Sequence, residues 1–289
     1  MALKNVAATS GAFGLAVLPD RLGSPSSISM KYQNNSSLNR YWRYSNKTPG
    51  SKPNTLFSDI LLTIASSPYV VTDLGVTSST GDGAKAINAI GQVGVALGTY
   101  SYVWTNGVFS PPGGINDGNG PLGINDLGHL TGSGDLRGFI YRDGQSTGLG
   151  QLEPDYGSYT FAHGINDSDV IVGEAYRPSV LRYHAFVWSD GVIHDLTPNA
   201  PSGVGSSARA INNAGTIVGQ YNTSAARWDA MGNLTGLVTP SGYVQSEAVA
   251  VNGNGDAVGT SHASDFFTEI ATVWPASGAW AYTLPLLVG

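Results

Sequence analysis

From residue 69 onward, short runs of β-branched and aromatic residues alternate with clusters of Asn, Asp and Gly, a rhythm of brief strands and tight turns rather than of helical faces. The rhythm is periodic. Five copies begin at Ala86–Asn88, Gly123–Asn125, Gly164–Asn166, Ala210–Asn212 and Ala250–Asn252, and their Asn residues lie 37, 41, 46 and 40 positions apart. In four copies a glycine follows seven residues after the Asn: Gly132, Gly173, Gly219 and Gly259. A large aromatic closes each copy: Trp104, Tyr141, Trp188, Trp228 and Trp274. In the clearest copy the pattern predicts four strands, over Phe161–Asn166, Val170–Tyr176, Tyr183–Gly191 and Val192–Leu196.

A four-stranded sheet of this size cannot bury its two faces alone, so successive copies must stack, and radial stacking of such sheets gives a β-propeller. The expected fold is all-β, with five blades over residues 69–289 and room in the count for a sixth, degenerate one. Each fixed position has a packing role. Asn88, Asn125, Asn166, Asn212 and Asn252 can take positive φ and bond their own turns. The strand glycines remove a side chain where backbones approach, and the Trp or Tyr supplies apolar area between blades. Asp169 stands where other copies place a turn glycine, since Asp tolerates left-handed backbone.

The segment Tyr183–Leu196, preceded by Ile165–Ala175, resembles the probable extracellular repeat family called HAF after its His-Ala-Phe core, here His184, Ala185 and Phe186. Weaker versions stand at Arg137–Gly144, Tyr100–Gly107, Ala225–Gly232 and Ile270–Gly278. The resemblance implies an exported bacterial protein at or beyond the cell surface. The first copy, with its glycine shifted, and the short second copy depart from the pattern and predict irregular blades.

Composition narrows the partners. The chain has 289 residues, 12% of them charged, with 39 glycines, 15 prolines, a net charge of −6 and no cysteine. Scattered Lys and Arg argue against nucleic acid, and no apolar run is long enough to span a bilayer. Disulfides and thiolate metal sites are excluded. The histidines show no metal-ligand spacing and the carboxylates fall mostly in turns, so no catalytic function is expected. His184 reads as a packing or turn-bonding residue. Asn252, Asn254 and Asp256 alternate as in a calcium loop, but the loop lacks the sixth-position glycine and the distal acid, which favours a tight turn with calcium as the alternative and leaves no other cofactor expected.

Residues 1–68 lack the repeat and read as an N-terminal arm, with a short helix over 55–66. The arm carries Tyr32, Tyr41, Trp42 and Tyr44 within a polar, Asn-rich stretch, and such aromatics mark a contact surface. Six segments resemble the fourth strand of a blade, including Tyr69–Gly75 and the C-terminal Trp280–Gly289, while only five blades need one. A spare hydrophobic strand is a candidate for pairing with another subunit, with Leu284, Leu286 and Leu287 as contacts. These features predict a self-assembling structural or adhesive protein that builds filaments or a surface layer, against the simpler outcome in which the spare strand lengthens one blade and the arm wraps its own propeller. The alternative is a carbohydrate-binding propeller with a pocket between blades and extracellular glycans as partners.

Overall fold

The computed structural model describes residues 29–33, 41–45, 74, 83–116, 120–134, 137–154, 159–265, 267–278 and 280–284. The predicted helix over 55–66 and the segment 69–75, apart from Leu74, lie outside the described residues, as do Leu286 and Leu287. The described residues fall into two compact units, one holding 74–284 and the other 29–33 and 41–45. In the second unit, β1 (Ser29–Gln33) pairs antiparallel with β2 (Tyr41–Ser45), setting Tyr32 opposite Trp42 and Tyr44 opposite Met30. The four arm aromatics therefore sit on a hairpin rather than on a single extended segment.

The first unit contains five four-stranded antiparallel sheets, each built from consecutive strands. Blade I comprises β3 (Gly83–Ile87), β4 (Val93–Leu97), β5 (Tyr100–Thr105) and β6 (Val108–Asn116). Blade II comprises β7 (Pro121–Ile124), β8 (Leu130–Gly134), β9 (Arg137–Arg142) and β10 (Gln145–Gly148), and blade III β11 (Thr160–Ile165), β12 (Ile171–Arg177), β13 (Arg182–Ser189) and β14 (Val192–Asp195). Blade IV comprises β15 (Ser206–Ile211), β16 (Ile217–Tyr221), β17 (Ser224–Trp228) and β18 (Leu234–Gly236), and blade V β19 (Gln245–Val251), β20 (Ala257–His262), β21 (Glu269–Trp274) and β22 (Tyr282–Thr283). The first strands of successive blades lie side by side from I to V, so they form the inner wall; no comparable packing joins β19 to β3 among the described residues. The fold is a β-propeller of five four-stranded blades. Blade III matches the strands predicted for it to within two residues at each end. The expected irregularity of the first copy is seen in blade I, where the register shifts between Ser101 and Val103.

Apolar layers between blades hold the sheets together. Val172, Ala185 and Leu196 of blade III meet Ala208, Ile217, Ala226 and Trp228 of blade IV; Val218, Ala225 and Leu237 of blade IV meet Ala248, Ala257 and Trp274 of blade V. Trp188 plays the same part toward Ile140 and Leu149 of blade II, while Trp104 and Tyr141 are only partly buried. The closing aromatic of each later copy thus packs against the blade before it.

The repeated Asn uses both ends of its amide. Oδ1 caps its own turn: in Asn166 it accepts from Ser168 N and Val170 N, both at 3.0 Å, and in Asn212 from Ala214 N at 3.0 Å and Thr216 N at 2.9 Å. Nδ2 reaches the next blade. It donates to the backbone carbonyl of the following Asn from Asn88 to Asn125 (2.8 Å), Asn125 to Asn166 (3.1 Å), Asn166 to Asn212 (3.3 Å) and Asn212 to Asn252 (2.9 Å). The expectation that these residues bond their own turns holds; the positive φ falls instead three residues later, at Gly91, Gly128, Asp169, Gly215 and Gly255.

A β-bulge in the inner strand explains the strand glycine of the last three blades. In the last three blades the bulge brings an inner-strand carbonyl over the second strand, and a Cβ on Gly173, Gly219 or Gly259 would lie 1.9–2.0 Å from the carbonyl oxygen of Phe161, Ser207 or Glu247. No side chain fits there. Blade I has Val95 at this position, and its shifted Gly94 would place a Cβ no closer than 3.2 Å to the movable Leu130 side chain.

Gly219→Ala should therefore destabilise by about 3 kcal/mol or more, against about 1 kcal/mol for Gly94→Ala, in urea titrations of the two variants. Asn166→Asp keeps the turn acceptor but loses the donor to Asn212, and should cost about 1–3 kcal/mol on the same measurement.

Candidate functional site

Each inner strand carries its bulge three residues before the Asn, between Ala84 and Ala86, Pro121 and Gly123, Ala162 and Gly164, Ala208 and Ala210, and Ala248 and Ala250. The residues skipped by the ladder are Lys85, Leu122, His163, Arg209 and Val249. A bulge re-aims its side chain away from the normal alternation. At blades III to V this gathers a charged group: Arg209 Nη1 lies 3.1 Å from His163 Nε2, which is 3.6 Å from Glu174 Oε1, and Arg209 Nε donates to Glu247 Oε1. Burial opposes ionisation of Glu174, but the His163 hydrogen bond and the Arg209 charge outweigh it and hold the carboxyl below the ordinary carboxylate range. The group is thus two carboxylates, a guanidinium and an imidazole, all partly open to solvent, and it can donate and accept hydrogen bonds.

Blade III adds aromatics to this group. Phe161 and Tyr183 have ring centroids 5.9 Å apart, Tyr183 and Tyr176 5.2 Å, and Tyr176 and Tyr159 6.5 Å. Burial, then the Glu174 charge, pushes the Tyr183 phenol up from its ordinary value. None of these four rings occupies the closing position of the repeat, which in this blade is Trp188.

Other charged groups are internal to joints. Asp169, at φ 58°, accepts from Asn125 Nδ2 (2.9 Å) and Arg142 Nη1 (3.0 Å) and lies 2.7 Å from His129 Nδ1 across the joint between blades II and III. His184 is 1% exposed, with Nδ1 2.9 Å from Asp195 Oδ2, and Asp195 and Glu153 both receive Arg177. It is a packed, backbone-strand histidine in keeping with its sequence reading. In the loop resembling a calcium site, Asn252 Oδ1 accepts from Asn254 N and Asp256 N, while Asp256 accepts from Asn252 Nδ2 and Ala276 N; the side chains are committed to the turn. Among the described residues no group of three or more His, Asp or Glu could hold a metal ion.

The candidate assembly strand has a place in its own sheet. Tyr282 and Thr283 pair with β21, and Leu284 N donates to Ala271 O as Leu149, Leu196 and Leu237 donate to Gly138, Ala185 and Ala225 in earlier blades. Of the two candidates for the spare strand, the C-terminal one is therefore the fourth strand of blade V. The face it completes is uncovered. Leu284 is 37% exposed where Leu149, Leu196 and Leu237 are at most 9%, Val258 is 42% exposed where Val172 and Val218 are sealed, and Ala271 is exposed where Ala185 and Ala225 are buried. A depression of about 460 Å³ lies on this face, lined by Ala250, Val251, Val258, Val273, Pro275 and Tyr282 among others. Asn252 Nδ2, with no following blade among the described residues, turns to Asp256.

No protein-family model matches the sequence, and no curated protein sequence matches it. Among solved structures the chain is similar to a candidate TolB from Agrobacterium tumefaciens, at 12% identity and a TM-score of 0.47, over 70% of this chain and 79% of that one. It is similar to a virginiamycin B lyase from Staphylococcus aureus, at 12% identity and a TM-score of 0.47, over 70% of this chain and 69% of that one. It also resembles a streptogramin B lyase, at 12% identity and a TM-score of 0.41, over 74% of this chain and 85% of that one. The last two findings correct the expectation that the chain has no catalytic function: lyases are found among proteins of similar shape, so this fold does not exclude an enzyme.

Acid should loosen the joint between blades II and III. Burial disfavours the Asp169 carboxylate, yet the hydrogen bonds from His129 and Arg142 prevail and lower its pKa. A lowered carboxylate contributes stability that is complete above its unfolded value and lost as pH falls through the folded one, here below pH ~4. Asp169→Asn keeps the left-handed turn, and its urea midpoint should fall less between pH 6 and pH 3 than that of the parent.

Proposed function

We propose that this chain is a self-assembling structural or adhesive protein of the cell exterior, joined head to tail through the ends of its blade series. The observation that carries the reading is the uncovered face of blade V, where Val258, Ala271 and Leu284 occupy positions that earlier blades bury. Contiguous apolar surface of this kind marks a contact site. The partner is a second copy, because the complementary half of the same joint lies on blade I. Ile87, the residue before Asn88, is 43% exposed where Ile124 and Ile165 are 8% and 9%, although Val93 and Val95 deeper on that blade are buried. Asn252 Nδ2 of one copy and the Asn88 carbonyl of another are the donor and acceptor that would continue the ladder. A joint between unlike faces does not close on itself after two subunits and leads to a filament. The external location rests on the resemblance of Tyr183–Leu196 to the HAF repeat, which we retain as part of the proposal.

Sedimentation velocity of the full chain should show concentration-dependent association that Val258→Asp or Leu284→Asp abolishes. Because the chain has no cysteine, a Val258→Cys protein mixed with an Ile87→Cys protein should give a mixed dimer with a bis-maleimide. A monomer at all concentrations, with no mixed dimer, would rule the reading out and point to cover from within the same chain.

A further inference from the structure

The aromatics Tyr159, Phe161, Tyr176 and Tyr183 need a separate explanation, since blade packing does not use them. In the other blades the corresponding strand ends carry other chemistry: blade IV places Asn222 and Thr223 where blade III places Tyr176 and Tyr183, and blade V places His262 and Glu269. The surplus is confined to the blade whose second and third strands are seven and eight residues long and extend beyond the apolar layer. Tyr159 is 37% exposed and the other three are partly exposed, so the strip is half open to solvent. Its interplanar angles of 37°, 59° and 49° make it a curved strip rather than a stack.

We infer that this strip and the adjoining His163, Glu174, Arg209 and Glu247 form a carbohydrate-binding site on the inner edge of blades III to V. Aromatic faces suit the apolar C–H faces of sugar rings, and a polar tip on each tyrosine remains for hydroxyl groups. The neighbouring charges decide the ligand class. Arg209 is held between the two carboxylates, Glu174 and Glu247, and the His163 ring. The guanidinium and the carboxylates are already engaged with one another, so the group offers directed donors and acceptors rather than a free charge, which fits a neutral polyhydroxylated ligand better than a phosphate or a polycation. The two bulges aim His163 and Arg209 at each other across 46 residues of sequence, a preorganised arrangement of polar groups beside an apolar strip.

The site is independent of the assembly face, so its test is made on the full chain carrying Val258→Asp as well as on the parent. The probes are hydroxyethylcellulose, xylan, mannan and laminarin in native affinity gels, followed by titration calorimetry with a hexasaccharide of whichever retards the protein. The expected result is retardation by at least one of them, weakened tenfold or more by Tyr159→Ala and by Tyr183→Ala. Phe267→Ala, a 92% exposed aromatic between β20 and β21, should leave it unchanged. Tyr159→Ala alters the most exposed ring, and its thermal midpoint should stay near that of the parent, which separates lost binding from lost fold. No retardation by any of the four polysaccharides, or retardation indifferent to both rim substitutions, would overturn the inference.

Discussion

The joint between neighbouring blades depends on one amide used twice. Each repeated Asn fixes its own hairpin turn with Oδ1 and the next blade's backbone with Nδ2, so local and long-range order are set by the same side chain. Buried amides of this kind cost free energy when unpaired, and Asn125, Asn166 and Asn212 are at most 7% exposed. The side chain therefore favours only the spacing at which both ends are satisfied. The apolar layers add the bulk of the stabilisation, but they are tolerant of sliding in a way that a hydrogen-bonded ladder is not.

The repeat was legible because its marks are local. The Asn, the strand glycine and the closing aromatic each answer to something within one copy: a turn to cap, a carbonyl to clear, a sheet face to cover. The glycine is the sharpest case, since the bulge that demands it lies on the adjacent strand of the same hairpin. What sequence reading missed depends on other copies. The second role of the Asn needs the carbonyl of a residue 37 to 46 positions away. The histidines show no ligand spacing along the chain, yet His163 and Arg209 both stand three before an Asn, as do Lys85, Leu122 and Val249. Variable, often polar residues at that one position, between small neighbours, were the available signal.

The chemistry of blade III also shows why a search for ligand spacing within one segment finds little in a propeller. His163, Glu174, Arg209 and Glu247 come from three blades and four strands, and bulges rather than sequence proximity bring them together. His184, the histidine that stands out in the clearest copy, is by contrast buried and hydrogen-bonded to Asp195. The residue most easily noticed in the sequence is structural, while those with room to meet a ligand carry no motif.

Every blade is made from one unbroken stretch of chain, with its four strands in order and no strand lent to a neighbour. Stability in such an array is close to a sum over units and their joints. A segment of DNA encoding one copy can therefore be gained or lost whole without severing a sheet, since only the identity of the adjoining faces matters. The architecture lends itself to change of diameter or length through unequal recombination, with the terminal faces passing unchanged to whichever copy becomes the last.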